Sequence, residues 1–477
     1  MSSDEESASI TTDYLVVGAG IGGLGFVDEL LTRTNATITI IDRRDAPGGH
    51  WNDAYPFVRL HGPSTMYGVE SKELSDFRIE QHGPNQGLMS LATGPEILAY
   101  CSSLMRNRFM TSGRVTFLPL TEYVESEGIV RSLLSTRKWT VNVKRLVNAG
   151  YFENVVPATH TRNFSTAPSV TCIAPNDLPK LARNFENFTV MGAGKTGVDS
   201  CMWLLTNGVD PRRLRWIIPN DYWYMNRDKA QDGMQFFERS FSSFVDRFEV
   251  MAQAVDVVDF AHRMERCEIW FRLDEAIEPP QYHGAVLSMG ELTELRGIQD
   301  VVRKGYVTGI NSEEIVLTHG TITADPNTLY IDCTASAIPS RPTMPIFQSK
   351  MITLQLLRSV MPAFSVALIA FIESMDLTDD ERNDLVQPVL YGKTMESHIL
   401  ELASDFQNRF QIAMNPETRK WSRQSRLDSF SRLAASVPRE DVEKQAILAK
   451  LGKAVRAAAM NLPNLVESVK TKTKSRL

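Results

Sequence analysis

The segment "YLVVGAGIGGLGFVDELLTR" occupies residues 14–33 and decides the fold that we predict for this chain. Its apolar start is followed by a glycine-rich turn and then by apolar residues at helical spacing, which predicts a strand, a tight turn and a helix. A second apolar stretch at residues 37–42 ends in Asp42. Together these segments predict a βαβ unit that begins a parallel, doubly wound sheet.

The glycines of this turn have the GxGxxG spacing of a dinucleotide-binding loop. In such a loop one glycine permits the tight turn, one lets the backbone approach a pyrophosphate, and one allows close packing of the helix. A carboxylate at the end of the second strand can bind ribose hydroxyls. We therefore predict a dinucleotide site formed by Gly18, Gly20, Gly22, Gly23, Asp42 and Arg43.

A second strand, glycine turn and helix are predicted from "FTVMGAGKTGVDSCMWLLTNG" at residues 188–208. The strand after this helix ends at Pro219 and Asn220 without a carboxylate, so nothing there repels a 2′-phosphate and NADPH is favoured over NADH. Arg227, or alternatively Arg213, could hold that phosphate. The predicted nicotinamide-site residues are Gly192, Gly194, Lys195, Thr196, Gly197 and Arg227.

Two such turns imply two dinucleotides, and the economical pairing is a flavin in the first and a nicotinamide that reduces it in the second. The predicted fold is α/β, with two Rossmann-like, three-layer dinucleotide-binding domains, the second inserted in the first, and a helical C-terminal part. The predicted divisions are a disordered tail at 1–13, an FAD-binding domain at 14–160 with a return segment at 326–375, an NAD(P)H-binding domain at 161–325, and a helical region at 376–477.

Two helices can be predicted from local signals. Thr93 as a cap, Pro95 at the first helical position and Glu96 in the first turn predict a helix that runs to about Arg108. The apolar run at residues 360–372 is shorter than the ~18 residues of a spanning segment, so we interpret it as a buried core helix rather than a membrane span.

Composition excludes several classes of function. A formal net charge of -6 provides no basic surface for nucleic acid. The five cysteines form no CxxC pair, which indicates reduced thiols and disfavours a disulfide reductase. The histidines and cysteines show no metal-ligand spacing, so no metal is predicted.

The chain ends in Ser475, Arg476 and Leu477, which matches the type of address that the peroxisomal import receptor binds. We therefore expect a peroxisomal location if the source is eukaryotic and a cytoplasmic one otherwise. The acidic, polar N-terminus does not have the pattern of a secretory signal.

The segment "GGHWNDAYPFVRLHGPS" at residues 48–64 resembles the stretch that runs past the flavin in Baeyer–Villiger monooxygenases, which are relatives of the flavin-containing monooxygenases. The matching residues are Gly48, Gly49, Trp51, Tyr55, Pro56 and Arg59, while His61 stands where that family has an aspartate. "YIDCTAS" at residues 330–336 is similar to the late strand that returns to the FAD domain, which implies flavin contacts from Asp332 and Ala335.

The resemblance implies an FAD- and NADPH-dependent enzyme that inserts an oxygen atom from O2 into a hydrophobic small molecule through a flavin peroxide. It places Gly49, His50 and Trp51 beside the flavin cofactor. Arg59 could stabilise negative charge at the reaction centre or simply pair with a carboxylate, and His61 could tune proton transfer or serve as a structural donor.

The family's FxGxxxHxxxW fingerprint is absent before the second glycine turn, where Thr166 and Val170 replace the glycine and the histidine. Two alternatives therefore stay open. One is an FAD-linked oxidase or dehydrogenase with a vestigial NADPH site, and the other is a flavoprotein that catalyses a non-redox step such as cyclisation.

Overall fold

A computed structural model describes residues 8–75, 77–151, 154–336, 338, 341–359 and 361–474. In these residues the strands are β1 Ala8–Val17, β2 Ile38–Asp42, β3 Gly68–Val69, β4 Lys72–Glu73, β5 Val115–Pro119, β6 Thr121–Val124, β7 Ile129–Ser132, β8 Lys138–Asn148, β9 Ser165–Thr166, β10 Cys172–Ile173, β11 Asn187–Met191, β12 Leu214–Ile217, β13 Tyr222–Asn226, β14 Trp270–Phe271, β15 Gln281–Leu287, β16 Asp300–Val302, β17 Val307–Ile310, β18 Glu314–Leu317, β19 Gly320–Thr323, β20 Thr328–Asp332, β21 Phe347–Gln348 and β22 Met351–Thr353. The helices are α1 Ile21–Arg33, α2 Gly94–Leu104, α3 Leu178–Leu181, α4 Lys195–Thr206, α5 Phe237–Gln253, α6 Val257–Arg266, α7 Met289–Arg296, α8 Pro362–Glu373, α9 Asp379–Leu385, α10 Met395–Met414, α11 Pro416–Gln424, α12 Ser429–Ser436 and α13 Val442–Lys474.

The first sheet has the strand order β21-β22-β8-β1-β2-β5, extended by the antiparallel hairpin of β6 and β7. Its central strand β1 pairs in parallel with β2 and with β8. Leu15 and Val16 of β1 are fully buried, because both faces of this part of the sheet are covered. Helix α1 connects β1 to β2 and packs against α8, so the predicted βαβ unit is confirmed.

The second sheet has the order β10-β20-β11-β12-β16, and all its pairs are parallel. Strands β20, β11, β12 and β16 follow the same order as β8, β1, β2 and β5 in the first sheet. The chain leaves the first sheet after β8 and re-enters it at β21 and β22, so the second unit is inserted in the first. This topology confirms the predicted fold class.

One predicted strand belongs to the other sheet. We expected residues 330–336 to return to the first domain, but β20 pairs with β10 and β11 in the second sheet, with Asp332 opposite Met191. The return to the first sheet is instead made by β22, which pairs with β8. The prediction was wrong because an apolar strand shows its burial but not its neighbour in the sheet.

The first strand begins earlier than predicted. Strand β1 begins at Ala8 and pairs with β8 along its length, from Ala8 opposite Trp139 to Val17 opposite Asn148. Among residues 8–13, Ile10 is buried and its neighbours Ser9 and Thr11 are exposed. Their backbone groups are satisfied by the ladder, although their polar composition alone suggested a disordered segment.

Both helices predicted from local signals are present. Thr93 and Glu96 form a reciprocal capping box at the start of α2, and a π-helical turn continues that helix from Met105 to Phe109. Helix α8 is buried along its length and packs on α1 in the core of the first unit. Within the described residues, no helix is both long and apolar enough to cross a membrane.

The C-terminal helices cover two different surfaces. The long helix α13 packs along α5, which lies in the second unit between β13 and β14. Helix α11 instead docks on the first unit, where the indole Nε1 of Trp421 donates to Glu29 of α1 at 2.8 Å. The C-terminal region therefore contacts both dinucleotide-binding units.

Candidate functional site: two glycine turns

The first glycine turn follows β1 directly. Gly18 has a φ of +115°, and its N–H donates to the carbonyl of Ile41 at 2.8 Å. A Cβ on Gly23 would lie only 2.0 Å from the carbonyl oxygen of Gly18, so α1 can approach the turn only with glycine there. Helix α1 starts at Ile21 without a side-chain cap, which leaves its N-terminal amides for an anion.

Asp42 lies at the end of β2 and holds the turn. Its Oδ2 accepts from the N–H of Ala19 at 2.6 Å, and its Oδ1 accepts from the N–H of Arg44 at 2.8 Å. Each carboxylate oxygen retains a second lone pair, so the predicted contact with a ribose hydroxyl is chemically compatible with these bonds. The neighbouring Arg43 is an exposed side chain that pairs with Glu122 at 3.3 Å.

The loop with Gly48 and Gly49 lies directly on the first turn. The N–H of Gly48 donates to the carbonyl of Ala19 at 2.9 Å, and a Cβ on Gly49 would lie 2.9 Å from the Cα of Gly20. The structure therefore brings together the two segments that the sequence assigned to one cofactor. Gly49 has a φ of +59°, which favours glycine at this contact.

His50 and Trp51 follow this contact as a stacked pair, with ring centroids 5.2 Å apart. The indole Nε1 of Trp51 donates to the hydroxyl of Tyr67 at 2.9 Å, which fixes the plane of the ring. Burial, assisted by the charge of Arg44, lowers the pKa of His50 to about 4. His50 is therefore a neutral imidazole at neutral pH.

Arg59 forms an ion pair, which is the second of the two roles considered from the sequence. Its Nη2 lies 2.5 Å from Oε1 of Glu80, and its Nε donates to the carbonyl of Leu91 at 3.0 Å. Arg59 and Glu80 line a polar cavity of about 370 Å³.

His61 contacts the second unit through its backbone. Its carbonyl accepts from Nε of Arg227 at 2.9 Å.

The second glycine turn repeats the geometry of the first. Gly192 has a φ of +118° and donates to the carbonyl of Ile217 at 2.9 Å. A Cβ on Gly197 would lie 1.9 Å from the carbonyl oxygen of Gly192. The indole of Trp216 and the hydroxyl of Tyr224 donate to the carbonyls of Gly192 and Ala193, so side chains hold this turn rigidly.

Lys195 and Thr196 form the first turn of α4, directly after Gly194. The ammonium of Lys195 forms an ion pair with Asp199 one turn later. Gly194 is the N-cap residue of α4, and no side chain caps the start of this helix. This N-terminus therefore offers free backbone donors to a pyrophosphate, while Asp199 compensates the charge of Lys195.

A bridge from the first unit reaches α4. The hydroxyl of Tyr55 donates to Oδ2 of Asp199 at 2.8 Å, and the ring of Phe57 stacks on Trp203 with centroids 5.4 Å apart. Burial raises the pKa of Asp199 and that of Tyr55. The sequence analysis identified Tyr55 only as part of a flavin-side motif and did not predict this contact.

Arg227 does not lie where a 2′-phosphate could reach it. Its guanidinium is 2% exposed and pairs with Glu291 at 2.7 Å, with further bonds to Asn85 and to the carbonyls of His61 and Val286. The prediction for Arg227 was wrong because its spacing from the turn did not show that Glu291 would neutralise it. The alternative, Arg213, donates to the carbonyls of Glu186 and Phe185.

Asp332 and Ala335, predicted as flavin contacts, lie at the carboxyl end of the second sheet. Oδ1 of Asp332 accepts from the N–H of Thr334 at 3.0 Å, and its Oδ2 lies 3.4 Å from Nε of Arg162. The next residue, Cys333, touches the second turn, since a Cβ on Gly192 would lie 2.5 Å from its carbonyl. In the first sheet the same position is taken by Ala149, which follows β8.

Comparisons with known proteins agree with this architecture. Residues 16–77 match the family described as NAD(P)-binding Rossmann-like domain. The polycyclic ketone monooxygenase of Thermothelomyces thermophila has a similar fold, with a TM-score of 0.53 at 11% identity over 91% of this chain and 88% of that one. The chain thus has the fold of the monooxygenases that the motif resemblance indicated.

The chain belongs to one family with two mycobacterial proteins. The uncharacterized proteins Rv2000 of Mycobacterium tuberculosis and Mb2023 of Mycobacterium bovis are each 37% identical to it over 468 residues, which is 98% of this chain and 87% of theirs. Bacteria have no peroxisomes, so the expectation of peroxisomal import, which required a eukaryotic source, does not apply to these relatives. Ser475, Arg476 and Leu477 lie outside the described residues.

Proposed function

We propose that this protein is an FAD- and NADPH-dependent monooxygenase that transfers one oxygen atom from O2 to a hydrophobic small molecule. The observation that carries the proposal is the repeated turn: each of the two sheets places a glycine turn between a parallel central strand and the following helix. An enzyme that uses one dinucleotide needs only one such turn. Two turns suit a carrier of electrons and its donor.

The residues of the first turn fit FAD. The positive φ of Gly18 favours glycine, Gly23 leaves no room for a Cβ, the N-terminus of α1 is uncapped, and the loop at Gly49 closes over the turn. In the proposal Asp42 binds ribose and the stacked pair of His50 and Trp51 borders the cofactor. FAD, when bound, supplies hydride acceptance and the activation of O2.

The residues of the second turn fit NADPH. Gly192 and Gly197 shape the turn, the start of α4 is uncapped, and Lys195 lies there in an ion pair with Asp199. Strand β12 ends at Ile217 without a carboxylate, and Asn220 donates to Tyr306 in the loop beyond it. Asp221 is neutralised by Arg303, whose Nε lies 2.9 Å away, so no free carboxylate opposes a 2′-phosphate.

Arg59 and His61 are the proposed catalytic residues, and the structure suggests how to test Arg59. If Arg59 acts through its charge, Arg59→Lys retains most of the NADPH-driven oxygen consumption, whereas Arg59→Gln loses roughly 100-fold, the usual effect of removing a group that stabilises developing charge. Equal losses in both variants would assign Arg59 to holding Glu80 and Leu91 in place. Glu80→Gln serves as the control for the ion pair.

A monooxygenase of this type is tested by anaerobic mixing. We expect the purified protein to be yellow, to bleach when NADPH is added without oxygen, and to recover its colour when air is admitted. Oxygen uptake that yields an oxygenated product from an added hydrophobic ketone supports the proposal, because the protein of similar fold is a polycyclic ketone monooxygenase. A colourless protein, or one that retains its colour with NADPH, contradicts it.

The alternative of an FAD-linked oxidase or dehydrogenase is favoured by one observation. Both arginines considered for the 2′-phosphate are engaged with protein groups, and Tyr55 and Phe57 cover part of α4. In that case NADPH leaves the colour unchanged while a reduced substrate bleaches it. A non-redox flavoprotein would show neither response during turnover.

A further inference from the structure

A cavity of about 500 Å³ lies among the C-terminal helices and shares no residue with either glycine turn. It is bordered by α10, α11, α12 and the loop after β22. Four arginines line it, together with small apolar residues: Arg358, Arg409, Arg419, Arg423, Ile412 and Ala434. The proposed monooxygenase function assigns no role to this site.

Arg358 is the buried member of the group. It is 4% exposed, its Nη1 lies 2.8 Å from Oδ1 of Asp428, and its guanidinium lies 4.1 Å from the ring centroid of Phe364. Its Nε is buried and has no hydrogen-bond partner within the described part of the chain. A buried donor without an acceptor is destabilising, so a ligand oxygen that accepts from it would remove a penalty.

The four arginines are only half neutralised. Asp428 pairs with Arg358, and Asp405 pairs with Arg409 at 2.7 Å. In the described residues no ion pair is formed by Arg419 or Arg423. These two exposed arginines lie one turn apart on α11, where like charges destabilise a helix. The site therefore carries an excess of two positive charges.

This excess, the fork geometry of guanidinium groups and the apolar wall together define the ligand. Guanidinium binds phosphate through two parallel hydrogen bonds, and a phosphate monoester carries close to two negative charges at neutral pH. Ile412 and Ala434 offer an apolar surface to the group that bears the phosphate. We propose that this cavity binds a small organic phosphate monoester, independently of the proposed enzymatic function.

The test uses phenyl phosphate, titrated calorimetrically into the full-length protein in the presence of saturating FAD. We expect one site per chain, with tighter binding of phenyl phosphate than of inorganic phosphate or benzoate. The double variant Arg419→Gln/Arg423→Gln should weaken binding at least tenfold. The matched control Arg439→Gln/Arg456→Gln removes two exposed arginines that do not line the cavity and should leave the affinity unchanged.

Three results would overturn the proposal. These are an absence of binding at millimolar phenyl phosphate, equal losses in the two double variants, and benzoate or inorganic phosphate binding as tightly as the ester. Because the readout is binding, failure of the proposed monooxygenase activity would leave this result intact.

Discussion

The hydroxyl of Tyr55 donates to the carboxylate of Asp199 at 2.8 Å, which joins a loop of the first dinucleotide-binding unit to the helix that follows the second glycine turn. The same carboxylate pairs with Lys195, the first residue of that helix. One part-buried hydrogen bond therefore connects the flavin side of the molecule to the proposed nicotinamide site.

Tyr55→Phe tests this bridge. The substitution keeps the ring but leaves the buried carboxylate of Asp199 without one donor, so we expect the free energy of unfolding to fall by about 1–3 kcal/mol. Denaturant unfolding of the wild type and the variant measures the change. Tyr123→Phe, on the β6–β7 hairpin, is the control. An equal loss of stability in both variants would show that the hydrogen bond from Tyr55 to Asp199 does not contribute more than an ordinary tyrosine hydroxyl.

Gly194→Val tests the assignment of the second turn. A branched side chain at the start of α4 would block the approach of a pyrophosphate, so we expect the rate of anaerobic bleaching by NADPH to fall by roughly 100-fold while the bound yellow colour persists. Stopped-flow absorbance measures both properties. Gly452→Ala in α13 is the control, because a Cβ there meets only the end of Arg456 at 3.7 Å.

Loss of the yellow colour in Gly194→Val, with reduction by NADPH intact in the remaining holoprotein, would show that the two cofactors are assigned to the wrong turns.

The partly buried imidazole of His50 predicts a pH dependence of stability. Its pKa is lowered by burial from 6.5 to about 4 in the folded chain, so the unfolded chain binds the extra proton between these values. The free energy of unfolding should therefore be highest above pH 6.5 and fall by up to about 3 kcal/mol as the pH drops towards 4.

Urea unfolding at pH 7.5 and pH 5 measures this effect of His50. The variant His50→Gln should lose the part of the slope that His50 contributes, whereas His319→Gln, at an exposed histidine, should keep it. Identical slopes in the wild type and His50→Gln would contradict a neutral, partly buried His50.

Arg227→Met tests the correction made to the nicotinamide site. Because the substitution leaves Glu291 buried without its partner, we expect a loss of about 3–5 kcal/mol in the free energy of unfolding. The variant Glu291→Gln removes the charge of the pair but retains an amide oxygen that can accept from Arg227, and it should leave the ratio of the KM values for NADPH and NADH unchanged. A stable Arg227→Met protein with a selective rise in the KM for NADPH would restore the 2′-phosphate role.

Local sequence determined the parts of the molecule that depend on neighbours along the chain. The glycine turns at Gly18 and Gly192 follow from a backbone conformation that few residues other than glycine adopt, and the start of α2 follows from a cap three residues from its partner. The buried helix α8 could be predicted because its apolar run is unbroken.

Only the tertiary structure decided which distant groups meet. The apolar strand β20 joined the second sheet and β22 the first, since hydrogen-bonding partners in a parallel sheet are set by long connections rather than by strand composition. Likewise Glu291, 64 positions from Arg227, neutralised that arginine, and Asp199, 144 positions from Tyr55, accepted its hydroxyl. Short-range patterns specify backbone shape, whereas the charge that a side chain presents to a ligand depends on partners that only folding brings close.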